Sequence, residues 1–458
     1  MLDHLHRFRR WAGVDRAVFF SNAAQMLRLV TGPITMALVL RYLTPEIQGY
    51  YYAFAGVVAM QVFLEMGFSQ NILQFASHEY ARLQFTPAGS LAGDAVARSR
   101  LISLGRLAFK YYSVAALIFL VAIGLGGHFF FTVSTHKALT GHSVSWPGAW
   151  WLVAVTAAGS LAINPAWSLL QGCNQVAELA KFSFVAALGS FVVNALALIF
   201  GAGIYASALG AVFYLLLSLA YFFWRWRGFF RQFLESPQQG RVSWRHEIWP
   251  FQWRIAVSWM AGYFVFDIVN PIAFYFCGPV EAGRLGMSLQ LVKMITNVSL
   301  QWIYTKGPQF GMFVARRAWA ELDALWRRST AQVFVFYLLG YGAFLLAIPW
   351  VGNYLPKIPA RLAPLPVNLW LGGAMLTQVL VGCMAMELRA HKREPLMWMS
   401  VISAVLSLAF MLPLARSWGI IGEAVGYALA LWAVFLPTCR IYQVKRLEFR
   451  LSTVSGFS

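Results

Sequence analysis

The chain has 458 residues, of which 59% are hydrophobic and 12% are charged, and its formal net charge at pH 7 is +19. A soluble globular protein carries about 25% charged residues, so the composition excludes that class and indicates a polytopic membrane protein. A strongly basic chain can also indicate a nucleic-acid partner. The positions of the cations, described below, argue against one.

Apolar stretches of about 20 residues, the length that crosses a bilayer, follow one another along the chain. We count twelve, six before the basic stretch 225–254 and six after it. They begin near Phe19, Tyr50, Lys110, Ala149, Ala180, Gly203, Arg254, Arg284, Ser329, Val367, Leu396 and Gly419. The first stretch is too long for a signal core and shows no cleavage site, so we expect no cleavable signal. The sequence therefore predicts an all-α fold with twelve transmembrane helices in two pseudo-symmetric six-helix lobes, an N-lobe at 1–226 and a C-lobe at 254–458.

Two short motifs occur once in each half at equivalent places. Pro-x-x-x-Gly stands between the first and second spans as Pro45–Gly49 and Pro279–Gly283, and Gly-Ile-x-x-x-Ala-x-Gly opens the sixth span as Gly203–Gly210 and Gly419–Gly426. Each half has an even number of spans, so both copies enter and leave on one side and the repeat is parallel. This architecture is typical of transporters.

The basic residues alternate by side. If the N-terminus is cytoplasmic, the inside segments hold 28 of the 36 lysines and arginines. Such asymmetry over short loops sets orientation by the positive-inside rule. We therefore expect a multi-pass membrane protein with both termini in the cytoplasm, and no nucleic-acid partner.

The segment 227–253 is predicted to be a cytoplasmic linker between the lobes. It interleaves arginines with aromatic residues such as Phe229, Phe233 and Trp244, which suits a segment at the headgroup level; a plain solvated linker is the alternative. The outside connections are short, and the chain has no phosphate-binding loop, Cys-x-x-Cys or His-Glu-x-x-His motif. The four cysteines lie in or beside spans, so we expect no disulfide. The short outside connections and the missing motifs indicate no metal, no cofactor and no enzymatic activity.

Polar residues recur at helical spacing inside several spans and so mark one face of each helix. These stripes are Ser21, Gln25, Arg28, Gly32 and Thr35 in span one; Thr156, Ser160, Asn164 and Gln171 in span four; Tyr263, Asp267 and Asn270 in span seven; and Gln290, Lys293, Asn297 and Gln301 in span eight.

Arg28 and Lys293 lie near the middle of their spans, where each costs about 2.5 to 3.5 kcal/mol against lipid. Such a cost points to a water-filled cavity or a buried partner. Asp267 is at a similar depth and is the natural partner of Lys293, so a purely structural ion pair is the alternative there. Glu65, nearer the end of span two, is not comparably placed for Arg28.

Pro33 in span one, Pro165 in span four and Pro271 in span seven each remove a helix hydrogen bond and permit a bend. Spans one and seven are repeat partners, so paired bends suit the rocking of two lobes around a central site. Static kinks are the alternative.

The chain resembles the Wzx-type polysaccharide flippases of the multidrug/oligosaccharidyl-lipid/polysaccharide (MOP) exporter superfamily. The matching residues are Arg41–Glu46 with Gly49–Tyr51, then Leu64–Gln70, and Gly419–Ala424. The resemblance implies two lobes, a V-shaped cavity, and alternating access that moves an undecaprenyl-pyrophosphate-linked oligosaccharide from the cytoplasmic to the periplasmic leaflet. Lipid II flippases, also in this superfamily, carry two further spans that this chain lacks.

Together these observations predict a flippase used in O-antigen, capsule or exopolysaccharide synthesis. Arg28 and Lys293 would hold pyrophosphate or acidic sugars, and the glycan would hydrogen-bond to Gln25, Gln290, Asn297 and Gln301. Asp267 and Glu65 are the candidates for a coupling proton or sodium ion, and Pro33, Pro165 and Pro271 for hinges. Expected partners are the lipid-linked oligosaccharide, membrane lipids and polysaccharide polymerase or assembly proteins. The alternatives are a cation-coupled multidrug exporter and a polytopic glycan polymerase or transferase.

Overall fold

The computed structural model describes residues 16–87, 89–137, 144–354, 358–391 and 395–452, with all side chains in these ranges except those of residues 16–26, 28, 29, 136, 137, 251, 254, 308, 315 and 452. The α-helices are α1 (Arg16–Tyr42), α2 (Pro45–Val58), α3 (Val62–Glu65), α4 (Phe68–Tyr80), α5 (Ala95–Ile118), α6 (Leu125–Lys137), α7 (Pro147–Gly172), α8 (Val176–Ile199), α9 (Ala206–Arg225), α10 (Arg227–Arg231), α11 (Trp249–Phe266), α12 (Val269–Tyr304), α13 (Gly307–Arg316), α14 (Trp319–Tyr354), α15 (Leu365–Ala390) and α16 (Met397–Ser452). Strands β1 (Leu83–Phe85) and β2 (Leu91–Gly93) form one antiparallel hairpin.

Nine helical runs within the described ranges are long and apolar enough to cross a membrane. Two of them, Ile255–Val314 and Met397–Leu451, have 60 and 55 residues, more than twice the roughly 20 that one crossing needs. Each is interrupted by a glycine outside helical geometry, Gly278 at φ 83° and Gly419 at φ 62°. The prediction of an all-α, multi-pass membrane protein is confirmed, and the count of twelve spans stays a prediction.

The helix of the third span begins earlier than the sequence indicates, at Ala95 rather than near Lys110. The Asp94 side chain caps α5 by accepting a hydrogen bond from the backbone N–H of Ala97 at 2.8 Å, which satisfies a free donor of the first turn. The added turns carry Arg98 and Arg100, so hydropathy alone does not detect them.

The two copies of Pro-x-x-x-Gly pack against each other. A Cβ added to Gly49 on α2 would lie 1.9 Å from the carbonyl oxygen of Pro279, and one added to Gly283 on α12 would lie 3.1 Å from the carbonyl oxygen of Pro45. Each glycine thus faces the proline of the other copy. The Gln48 side chain donates to the Gly283 carbonyl oxygen at 2.8 Å beside this contact. The motif is repeated because each copy is the packing partner of the other.

The second repeated motif also has one role in both halves. Its first glycine is left-handed in each copy, Gly203 at φ 57° and Gly419 at φ 62°. Its last glycine lies against the backbone of the preceding span, since a Cβ on Gly210 would meet the Ser190 carbonyl oxygen at 2.9 Å and one on Gly426 the Phe410 carbonyl oxygen at 2.8 Å. Small residues permit this close approach of membrane helices.

The chain divides into two compact units. The described parts of Met1–Leu43, Val58–Thr132 and His142–Trp259 form unit 1, and those of Thr44–Val57, Val133–Gly141 and Met260–Ser458 form unit 2. In unit 1, α1 and α9 pack along α8, while α7 packs on α4 and α5; in unit 2, α15 and α16 pack on each other and on α12. The lobe boundaries expected from the sequence stay a prediction.

The linker between the predicted lobes folds onto unit 1. Phe229 and Phe233 are buried in the unit 1 core, and the Trp244 ring meets that of Phe68 edge-on at 4.8 Å. These aromatic side chains are packed, so the segment is not a plain solvated tether.

We expect the Gly49→Ala variant to unfold at a lower temperature, because its methyl group would overlap the Pro279 carbonyl. The cost is about 3 kcal/mol, the upper end of the usual range for overpacking. Gly342→Ala on α14, where an added Cβ would meet nothing within 4 Å, is the matched control and should be unchanged or slightly stabilised. Thermal unfolding of both purified proteins in one detergent checks this, and equal midpoints would contradict the contact.

Candidate transport site

The expected ion pair between Lys293 and Asp267 is present in unit 2. The Lys293 ammonium lies 3.2 Å from Asp267 Oδ1, with side-chain exposures of 24% and 42%, and it also donates to the backbone carbonyl of Phe266. Lys293 lies in the middle of the α12 segment that follows the Gly278 break. The pair is therefore open on one side at a depth where charged groups do not face lipid without cost.

A proline creates the geometry of this pair. Pro271 has no N–H to donate to the Asp267 carbonyl, and the helix is interrupted between Phe266, the end of α11, and Val269, the start of α12. The Phe266 carbonyl, at the break, accepts from Lys293 instead of from a helical N–H. Gly56 on α2 leaves room for the break, since a Cβ there would lie 2.6 Å from Pro271 Cδ.

The other two prolines predicted as hinges lie in unbroken helices. Pro33 is within α1 and Pro165 within α7, and both helices continue through them. Pro271 is thus the one of the three that coincides with a helix break. The hinge role of all three stays a prediction.

The remaining residues of the span-eight stripe lie open beside the ion pair on α12. Gln290 and Asn297 are exposed and Gln301 is half-buried. Of the corresponding stripe in span one, Arg28 and Gln25 lie on α1, but their side chains are outside the described ones. The structure therefore brings together the C-terminal part of the predicted site, and the N-terminal part stays a prediction.

Glu65 is in a separate polar cluster in unit 1. Its carboxylate accepts from the Ser69 hydroxyl at 2.8 Å and from the Asn164 side-chain amide at 3.1 Å. Met66 and Gly67 follow with left-handed backbones, φ 48° and 67°, and so interrupt the helix between α3 and α4. This turn lies in the stretch that carries the family resemblance, and it aims Glu65 at the polar stripe of span four.

A second acid of unit 2, Glu423, was not predicted as a site residue. It lies on α16 and is 0% exposed. The backbone amide of Ala273 and the thiol of Cys277 lie close to it, but neither carboxylate oxygen has a well-formed hydrogen bond to any described residue. One turn further along α16, the buried Tyr427 hydroxyl likewise has no partner among the described residues, and Tyr427 is near Asp267.

A signal for Glu423 was available in the sequence. An acid within an otherwise apolar span is rare and usually functional, and Glu423 stands inside the long apolar run after Gly419. A carboxylate ion with neither donors nor a counter-ion in such a site costs several kcal/mol. The neutral acid is therefore the form that suits this packing, which makes Glu423 a candidate proton carrier.

Solved membrane transporters share this fold. The lipid II flippase MurJ in an inward closed conformation aligns with a TM-score of 0.64 at 11% identity, over 96% of this chain and 93% of that one. An inward-facing multidrug resistance MATE family transporter aligns with a TM-score of 0.60 at 12% identity, over 96% and 100%. The MATE multidrug transporter DinF-BH aligns with a TM-score of 0.51 at 13% identity, over 94% and 95%.

The chain has the fold of MOP-superfamily transporters. No protein-family model and no curated protein sequence matches it. Lipid flippases and drug exporters are both among its structural neighbours, so the superfamily fold is shown and the Wzx-type branch stays a prediction.

We expect the double variant Lys293→Gln with Asp267→Asn to unfold at nearly the same temperature as the parent protein. A partly exposed ion pair contributes about 1 kcal/mol or less, and the two amides still fit the site. A double-mutant cycle of unfolding midpoints measures the coupling. A coupling of about 3 kcal/mol or more, typical of a sealed pair, would mean that the pair serves mainly to hold the two segments together.

Proposed function

We propose that this protein is a flippase that moves an undecaprenyl-pyrophosphate-linked oligosaccharide from the cytoplasmic to the periplasmic leaflet by alternating access. The product would feed O-antigen, capsule or exopolysaccharide synthesis in the bacterial inner membrane. The observation that carries this proposal is the open Lys293–Asp267 pair at mid-span, with 24% and 42% exposure. A charged pair left open at that depth indicates a face that meets water or a polar ligand rather than lipid.

The residues around the pair support a sugar-phosphate ligand. The Lys293 ammonium has two acceptors in the protein, Phe266 and Asp267, and an incoming phosphate oxygen can replace the carboxylate. Exposed amides at Gln290 and Asn297 donate and accept hydrogen bonds, as sugar hydroxyls require. Arg28, if it points to the same face, adds the second cation that a pyrophosphate needs.

The membrane potential supports the proposed direction of transport, from the cytoplasmic to the periplasmic leaflet. Moving negative charge outward across an inside-negative membrane gains about 2.3 kcal/mol per charge per 100 mV. A pyrophosphate brings roughly two charges, so outward transport is favoured even before an ion gradient contributes. The same potential opposes the export of a cation.

The buried Glu423 favours one further element of the proposal, a coupling proton. The neutral acid fits the closed packing around Ala273 and Cys277, and ionisation requires that packing to open. Tyr427 lies between Glu423 and the region of Asp267, which places the two acids within one part of unit 2. Protonation of Glu423 would then accompany the conformational change, whereas Asp267 is paired with Lys293.

The same acid is the observation that favours a second candidate function, a cation-coupled drug exporter. Glu423 and Glu65 lie in different units, and neither forms an ion pair with a described cation. Carboxylates of this kind can take up protons or bind cationic drugs. They therefore fit a cation-coupled drug exporter as well as a proton-coupled flippase. The experiments below therefore measure both activities.

We expect Lys293→Glu to abolish export, because it removes the ammonium and places a second carboxylate beside Asp267. Arg28→Glu should do the same, whereas Lys293→Arg should keep most of the activity. Surface polysaccharide and the lipid-linked oligosaccharide on the cytoplasmic face are measured in a strain lacking the protein and complemented with each variant. Normal export by both glutamate variants, together with raised dye efflux by the parent protein, would replace the flippase by the drug exporter.

We expect Glu423→Gln to remove the pH dependence of transport while the protein still folds, because the amide has the size of the neutral acid but carries no titratable proton. Proteoliposomes with purified lipid-linked oligosaccharide, with and without a pH gradient, measure the effect. Glu281→Gln, which removes an acid paired with Arg284, is the control and should respond to the gradient as the parent does. A gradient response that survives in Glu423→Gln would exclude Glu423 as the proton carrier.

A further inference from the structure

A basic groove lies in unit 1, away from Lys293 and Asp267. It has a volume of about 1610 Å³ and includes five cations, Arg106, Lys110, Arg227, Arg231 and Arg241, in its lining. No aspartate or glutamate is among the residues that line it. Typical ligand pockets have about 300–1,000 Å³, so the groove has room for a large headgroup and the first part of its chains.

Two helices present these cations in register. Arg106 and Lys110 are four residues apart on α5, and Arg227 and Arg231 are four residues apart on α10, so each pair lies on one helical face. Arg241 comes from the linker that continues past α10. Like charges four residues apart on a helix face repel each other, and a bound anion would offset this repulsion.

The groove cations differ from two other arginines of α5, which form ion pairs with carboxylates. Arg98 pairs with Glu235 at 2.8 Å, and Arg100 pairs with Glu79 at 2.7 Å and with Glu247 at 2.5 Å. None of the five groove cations pairs with a carboxylate in the described part of the chain. Arg106 instead donates to the backbone carbonyl of Glu235 at 2.9 Å, which holds its side chain in place and leaves its charge unneutralised.

The walls of the groove are apolar and open towards the membrane. Leu219 and Phe223 on α9 line it and are 43% and 69% exposed, and Leu234 on the linker is 82% exposed. Exposed side chains of this type on a membrane-spanning helix face lipid. The cations therefore stand where the headgroups of one leaflet meet the protein, with an apolar surface beside them for hydrocarbon chains.

We propose that this groove binds a membrane phospholipid that carries two phosphates, of the cardiolipin class, with its phosphates among the five cations and its chains against Leu219 and Phe223. Charge complementarity favours two phosphates over one, and basic pockets between transmembrane helices on the cytoplasmic side are known to take such headgroups. In the proposed orientation the leaflet is the cytoplasmic one. The site is independent of the transported substrate, since none of its residues belongs to the proposed transport site.

Native mass spectrometry of the full-length protein in detergent tests the proposal, with tetraoleoyl cardiolipin and dioleoyl phosphatidylethanolamine as probes. We expect cardiolipin to bind and phosphatidylethanolamine not to. Arg227→Gln with Arg231→Gln should weaken cardiolipin binding about 30-fold, as two lost basic contacts near a membrane surface predict. Arg106→Gln with Lys110→Gln should act similarly and provides a second variant if the first does not fold.

The matched control is Arg225→Gln with Arg245→Gln, which changes the net charge equally at two exposed arginines outside the groove lining. It should bind cardiolipin within about twofold of the parent, well under the tenfold that 1.4 kcal/mol represents. Equal weakening by the control would overturn the proposal in favour of general attraction. Displacement of cardiolipin by free inorganic pyrophosphate, or binding of a polyprenyl pyrophosphate but not of cardiolipin, would also overturn it.

Discussion

The reciprocal contact between Pro45–Gly49 and Pro279–Gly283 is the constraint on which the arrangement of unit 2 depends. Each glycine lies under the proline carbonyl of the other copy, closely enough that a methyl group would come within 1.9 Å of the carbonyl oxygen at Gly49 and within 3.1 Å of it at Gly283. Contacts this short leave no freedom of rotation or sliding between α2 and α12. Because lipid offers no hydrophobic gain for helix association, close packing of small residues is what holds membrane helices together.

This contact also fixes the neighbourhood of the ion pair. Gly56, two turns beyond Gly49 on α2, packs on Pro271 at the helix break that frees the Phe266 carbonyl for Lys293. One turn beyond Gly283 on the same face of α12, Gly286 also approaches α2 closely, since a Cβ there would lie 2.7 Å from Tyr52 Cβ. Small residues on one side of α2 thus permit its close approach to α12. This packing sets the position of the helix break, and therefore the depth of the charged pair.

The sequence predicted the elements of this arrangement better than their contacts. Hydropathy and charge indicated the membrane helices, and the two repeated motifs marked real helix starts, because left-handed glycines and close-packed glycines leave a local signature. The partnership of Lys293 with Asp267 was also predictable, since two opposite charges at one depth have few other partners. That the two proline motifs pack on each other was not predictable, because a motif does not state what it contacts.

Other features depend on long-range packing that periodicity does not report. The extension of α5 to Ala95 needs carboxylates from α4 and the linker to neutralise its arginines. The basic groove needs the segment 227–234 to fold back beside α5, which buries Phe229 in the unit 1 core while Arg227 and Arg231 line the groove. The alternation of arginine and aromatic residues in the linker 227–253 is expected both for a segment at the headgroup level and for a plain solvated linker. Only the burial of the aromatic rings argues against the solvated linker.

The two units differ in how they handle buried charge. In unit 1, Glu65 has two hydrogen-bond donors, Ser69 and Asn164, which satisfy an ionised carboxylate without a cation. In unit 2, Asp267 has a cation, while Glu423 has neither donors of good geometry nor a cation among the described residues. A carboxylate already satisfied gains little from a change in its surroundings, whereas one without partners gains most. A conformational change that brings water or a hydrogen-bond donor to Glu423 would therefore stabilise the ionised form that the closed packing disfavours, so under the proposed function Glu423 is the acid through which a proton can be coupled to transport.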